Sequence, residues 1–174
     1  MGRRVYNFKM RNPVTLCRIV RPVFPGKLTI VETTLKLGLY FLGMAAICIG
    51  GSMALFGPHA VGTFFNTILN FVYDAGPLQD LDPVNVDSEM RFYAVMFVFY
   101  GGVLIQTVRD LDRYAARVPL LLGVFALAGT ARLIGFLTTG QPHALFILLM
   151  SIEFALPAVL YVCWLGRKRN LTSS

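Results

Sequence analysis

Two residues of opposite charge, Arg132 and Glu153, stand inside long apolar runs and are the residues of this chain best placed to do chemistry. Residues 118–139 and 142–165 are each long enough to cross a bilayer. A charge at that depth must find a partner. Gly140-Gln141 joins the two runs, so they form an antiparallel hairpin. At about 1.5 Å per residue, Arg132 lies roughly 12 Å from the turn and Glu153 roughly 16 Å. The spacing therefore predicts an ion pair. Pro157 follows Glu153 by four positions, where its ring removes the donor that would serve the Glu153 carbonyl and kinks the helix. Arg132, with five donors, is expected to bind both the carboxylate and that freed carbonyl.

Other chemistry is sparse. Glu89 and Arg91 open a further apolar run and are candidates to extend the pair or to contact a polar ligand above it. His59 and His143 fall at membrane boundaries, where an interfacial position accounts for both. Cys17, Cys48 and Cys163 form neither a CxxC motif nor a Cys/His cluster. The aspartates of residues 74–88 do not alternate as calcium ligands do. No nucleophile–base set, phosphate-binding glycine loop or metal motif is present. No metal and no cofactor is expected, although the pair is compatible with a bound lipid.

The elements that must position these residues are membrane spans. The chain of 174 residues is 56% hydrophobic and 14% charged, against roughly 25% charged in soluble domains. Spans are predicted over residues 37–56, 90–108, 118–139 and 142–165. Residues 59–73 are apolar at helical spacing but short, and they carry Asn66 and Asn70. They read as an interfacial helix rather than a crossing. Asp87 or Ser88 is expected to cap the second span. The fold class is thus all-α: a four-transmembrane-helix bundle over residues 35–169, with a short interfacial helix, a basic N-terminal arm over residues 1–34 and a disordered tail over residues 170–174. Residues 12–21 fit either a short basic amphipathic helix or a plain arm, and no cleavable signal peptide is expected.

The charge of +7 is a topology signal. Basic residues crowd the N-terminal arm, residues 109–117 and residues 167–169, which four spans place on one side. Arg91 stands on the other, among Asp74, Asp80, Asp82, Asp87 and Glu89. The positive-inside rule then puts both termini in the cytoplasm, with anionic lipid contacts rather than nucleic acid as the partner of the basic excess. Ala46 and Gly50, Gly101-Gly102, and Ala131 and Gly135 supply small residues for close helix packing.

Glu89-x-Arg91-Phe92, Gly101-Gly102, Arg109-Asp110, Gly129-x-Ala131-Arg132-Leu133, Gly140-x-Pro142 and Ile152-Glu153 together carry a resemblance to a family. The chain resembles small four-pass bacterial proteins catalogued only as a domain of unknown function. The resemblance implies a four-helix membrane bundle and brings no activity with it. The basic arm and the long segment after the first span (residues 59–88) depart from that pattern.

On these grounds the chain is expected to be a non-enzymatic accessory or stabilising subunit of a larger inner-membrane complex, for example a lipid-transport, respiratory or photosynthetic assembly. The competing expectation is a stand-alone binder or carrier of a lipid-like molecule. Its pocket would lie near Arg132 and Glu153 and be lined by Phe92, Tyr93, Phe99, Tyr100, Phe125 and Phe136.

Overall fold

A chain crossing hydrocarbon must satisfy its backbone internally, and helices do this within one segment. The computed structural model describes residues 30–78, 81 and 83–172, and its elements are all helical. The N-terminal arm therefore lies almost wholly outside the described residues. The helices are α1 (Ile30–Phe56), α2 (Pro58–Asn70), α3 (Val84–Arg109), α4 (Leu111–Tyr114), α5 (Val118–Thr139) and α6 (Ala144–Thr172), with a 3-10 turn over Ala115–Arg117 between α4 and α5. Helices α1, α3, α5 and α6 supply four segments long and apolar enough to span a membrane. The protein is a multi-pass membrane protein.

Helix ends differ from the apolar limits read in the sequence, because a helix does not stop where the hydrocarbon does. Helix α1 begins at Ile30, with Glu32 and Lys36 ion-paired at 2.7 Å in its first turns. Helix α6 continues to Thr172, past the expected tail boundary, because Arg167 is tied back onto the bundle. The expected cap at Asp87 or Ser88 is not formed. Helix α3 starts earlier, at Val84, with no side-chain cap, and Asp87 lies within its first turn.

Helix α2 is the short helix expected after the first span, ended at Asn70 rather than residue 73. The Asn70 side chain accepts from the backbone N–H of Ala75 at 2.9 Å. Asn66, 5% exposed, donates to the Gly76 carbonyl at 2.8 Å. The two asparagines thus fold the loop after α2 back onto it. Gly57 makes the turn from α1 into α2 at φ 87, which side-chain-bearing residues rarely adopt. A Cβ there would also lie 2.7 Å from the Arg91 Nη2.

Helices α1 and α3 form the closest pair, through small residues. A Cβ built on Gly101 would sit 2.6 Å from the Gly43 carbonyl oxygen, and one on Gly50 would sit 2.7 Å from that of Ala94. Ala46 fills the step between them, against Gly101. Gly51, Gly102 and Gly135 face open space instead. Close approach replaces the hydrophobic drive that lipid removes. Helices α5 and α6 pack as the predicted hairpin, and α6 also packs on α1, where Leu160 covers Gly38.

The apolar core gathers at one end. Leu35, Leu39, Leu42, Leu104, Leu111, Val118, Leu121, Leu122, Phe125 and Leu160 form a single cluster. Those residues come from the start of α1, the end of α3, the α4–α5 junction and the second half of α6. This basic end also carries Arg109, Arg113, Arg117 and Arg167. The opposite end, beside α2, buries Val61, Leu78 and Leu145 and adds polar contacts to them.

Gly101 and Gly102 make a paired test. Gly101→Ala should destabilise the bundle by about 1–3 kcal/mol, because backbone must shift. Gly102→Ala should be neutral or stabilising by up to about 1 kcal/mol, from helix propensity alone. Unfolding in mixed micelles distinguishes the two signs.

Candidate functional site

The geometry brings Arg132 and Glu153 together as the hairpin register predicts. Arg132 Nε donates to both carboxylate oxygens of Glu153, at 3.0 Å and 2.9 Å. Glu153 is 7% exposed. Gly129 makes this depth available: a Cβ there would sit 3.0 Å from the Glu153 Cβ. Glu153, Pro157 and Leu160 lie on one buried stripe of α6, which stays helical through Pro157.

Arg132 is less enclosed. Its side chain is 39% exposed, against 10% for Glu153. The guanidinium carbon lies 5.8 Å from the Phe146 ring centroid. The second contact expected of Arg132, to the Glu153 carbonyl, is not formed: Nε serves the carboxylate, and neither Nη hydrogen-bonds within the described residues. Reaching the carboxylate through Nε turns the other two nitrogens away from Glu153. The result is an acid sealed inside the bundle and a cation turned partly out of it.

Arg91 does not join this pair. Its Nε and Nη2 clamp the Asp87 carboxylate at 2.7 Å and 3.2 Å, one helical turn back. Its Nη1 donates to the carbonyls of Ala54 at 2.8 Å and Leu55 at 3.2 Å. Those carbonyls are among the last of α1 and have no partner within their own helix. Arg91 is therefore a side-chain cap that fastens the end of α1 to the start of α3. Glu89, the other candidate to extend the central pair, is exposed.

The aromatic residues divide as well. Tyr100 stacks between Phe97 at 6.2 Å and Phe125 at 6.3 Å, and its hydroxyl donates to the Leu121 carbonyl at 2.9 Å. They fill the junction of α3 and α5. Phe92, Tyr93 and Phe99 point outward. The six residues expected to line one pocket thus do not share one.

A groove of about 760 Å³ lies at the α2 end, bounded by Tyr73, Asp74, Pro77, Gln141, His143 and Phe146. His143 accepts the Leu145 N–H on Nδ1 at 3.2 Å, which leaves Nε2 as the protonated nitrogen. That Nε2 is buried and without a hydrogen-bond partner. Phe146 borders this groove and also lies beside the Arg132 guanidinium.

The basic end holds a cluster that the sequence did not disclose. Arg167 is 6% exposed and its Nη2 donates to Asp112. Its Nε stands 4.0 Å from Glu32. Trp164 Nε1 donates to the Ala115 carbonyl at 3.0 Å. Together they fasten the α3–α5 connector to α6. Arg167 lies two heptads after Glu153, on the same inward stripe. That spacing was the available signal, masked by a basic tail that read as solvated.

Among the described residues no group of three histidine, cysteine or acidic side chains is arranged to hold a metal ion. The model of a family described as a domain of unknown function (DUF4345) matches residues 34–164. The chain belongs to that family. No curated protein and no solved structure matches it. The DUF4345 region covers most of all four spans, with Arg91, Arg132 and Glu153, and stops short of Arg167.

Removing the Arg91 cap should loosen one place. Arg91→Ala should cost about 1–3 kcal/mol, the range for hydrogen bonds to a charged group. Amide exchange should rise across residues 53–60 and stay unchanged in α5 and α6. Arg91→Lys should not restore protection, because one ammonium cannot span a carboxylate and two carbonyls as the planar fork does.

Proposed function

We propose that this DUF4345 protein is a non-enzymatic accessory or stabilising subunit of a larger membrane assembly, joined to it through the side of the bundle that carries Arg132. The supporting observation is the unused edge of that guanidinium. Arg132 lies seven residues inside α5 from Thr139, about 10 Å at 1.5 Å per residue. Its Nη groups have no acceptor within the described residues, and hydrocarbon offers none. A carboxylate or free carbonyl on a neighbouring membrane helix would complete the pairing.

The spans agree with this reading. In each of them only 22–28% of the most apolar window is buried within the chain. Large side chains such as Leu127, Ile134, Leu137 and Phe99 stand outward. The proposed setting is a bacterial inner membrane with both termini in the cytoplasm. Arg109, Arg113, Arg117, Arg167, Lys168 and Arg169 lie at one end, which the positive-inside rule assigns to the cytoplasm. The chemistry assigned to the pair is structural, with no cofactor.

One observation favours a second reading, a stand-alone binder of a lipid-like molecule. The groove at the α2 end combines polar groups, Asp74, Gln141 and His143, with the apolar Phe146 ring that also lies beside Arg132.

Affinity purification of the tagged protein in a mild detergent separates the two. The subunit reading predicts a stable complex with other membrane chains. Arg132→Leu/Glu153→Leu, which leaves no unpaired charge, should keep the fold yet lower partner recovery at least tenfold. Recovery of the wild type as a lone monomer, with one lipid retained, would overturn the subunit reading in favour of the binder.

A further inference from the structure

The connector at the basic end presents arginines whose nearby acids are engaged elsewhere. Asp110 caps α4, accepting the Arg113 backbone N–H at 3.3 Å. Asp112 takes Arg167. Arg109, Arg113 and Arg117 are exposed and form no ion pair among the described residues. Two of them converge on one ring: the guanidinium carbons of Arg117 and Arg113 lie 4.1 Å and 5.3 Å from the Tyr114 centroid. Cation–π contact holds both cations beside one platform without neutralising either.

Depth identifies what would meet them. Val118, the first residue of α5, follows Arg117 directly and opens the apolar run long enough to cross a membrane. The two guanidiniums are therefore within about one turn of the hydrocarbon edge, at headgroup level. Tyrosine is favoured at that level, with its ring toward the chains and its hydroxyl toward water. A planar guanidinium fork matches phosphate oxygens bidentately.

We propose that Arg113, Tyr114 and Arg117 form a clamp for the phosphate of an anionic phospholipid headgroup in the leaflet at the basic end. The clamp is separate from the Arg132 face and stands whether or not the subunit reading holds. It also gives the α4 segment a purpose. The bond from Arg167 to Asp112 and that from Trp164 to Ala115 set the connector flat on the bundle, and both arginines are thereby presented to the same leaflet.

The single tryptophan of the chain, Trp164, touches this connector and reports on it. The protein is reconstituted in phosphatidylcholine vesicles holding either dibrominated phosphatidylglycerol or dibrominated phosphatidylcholine, and Trp164 quenching is compared. The wild type should favour the anionic lipid by about 25-fold, about fivefold for each arginine. Arg113→Gln/Arg117→Gln should reduce that preference by about fivefold per arginine. Arg113→Lys/Arg117→Lys keeps the charge but not the fork and should fall between. Arg3→Gln/Arg4→Gln removes the same charge from the N-terminal arm and should leave the preference intact. Circular dichroism confirms that each variant keeps its helix content. Equal losses in the two glutamine doubles would reduce the effect to net charge and overturn the clamp. So would a wild type without preference. Displacement of the lipid by millimolar inorganic phosphate would assign the site to a free anion instead.

Discussion

Arg132 and Glu153 meet between two apolar helices, and α5 pairs with α6 around that meeting. The carboxylate is enclosed because Gly129 gives up a side chain opposite it. Arg132 reaches it only through Nε, so the contact closes one side of the guanidinium and leaves the other turned outward. A buried pair of this kind need not add net stability over apolar residues of similar volume. Its effect is on specificity. Sliding α6 by one turn, or rotating α5, would strand a charge in hydrocarbon, so the hairpin has one register.

The two ends of the bundle are held by different sets of contacts. At the basic end an apolar cluster from α1, α3, α5 and α6 does most of the joining, and Arg167 and Trp164 secure the connector over it. At the α2 end the apolar packing of Val61, Leu78 and Leu145 is supplemented by polar ties. Arg91 caps α1 from α3, Asn66 and Asn70 fold the loop onto α2, and Arg132 holds α6. Hydrogen bonds between membrane helices are modest individually. An exposed cation at the α2 end suits a surface completed by another chain.

The hairpin pair was legible in the sequence because one short turn fixes the relative depth of two neighbouring spans. Four spans and a short fifth helix were legible for a similar reason: hydrocarbon thickness sets length. Arg91 was expected to extend the central pair or to meet a polar ligand above it, and instead clamps Asp87 one helical turn back. The carbonyls it also binds belong to another helix, 36 and 37 residues away. Arg167 escaped notice because hydropathy treats a basic residue beyond a span as solvated. Its burial depends on Asp112, 55 residues distant, and on how the connector folds. The extra contact expected at the Glu153 carbonyl failed on orientation, since a guanidinium reaching through Nε cannot also turn its fork to the backbone.

The account rests on Arg132 and Glu153 acting as one unit within the bundle, and a double-mutant cycle on unfolding in mixed micelles measures that directly. Arg132→Leu and Glu153→Leu should each cost about 3 kcal/mol, because each leaves its partner unpaired in a low-dielectric setting. The double variant should lose less than their sum by about 1–3 kcal/mol. Losses that add to within about 0.5 kcal/mol would show that the two charges are independent, and would contradict the account.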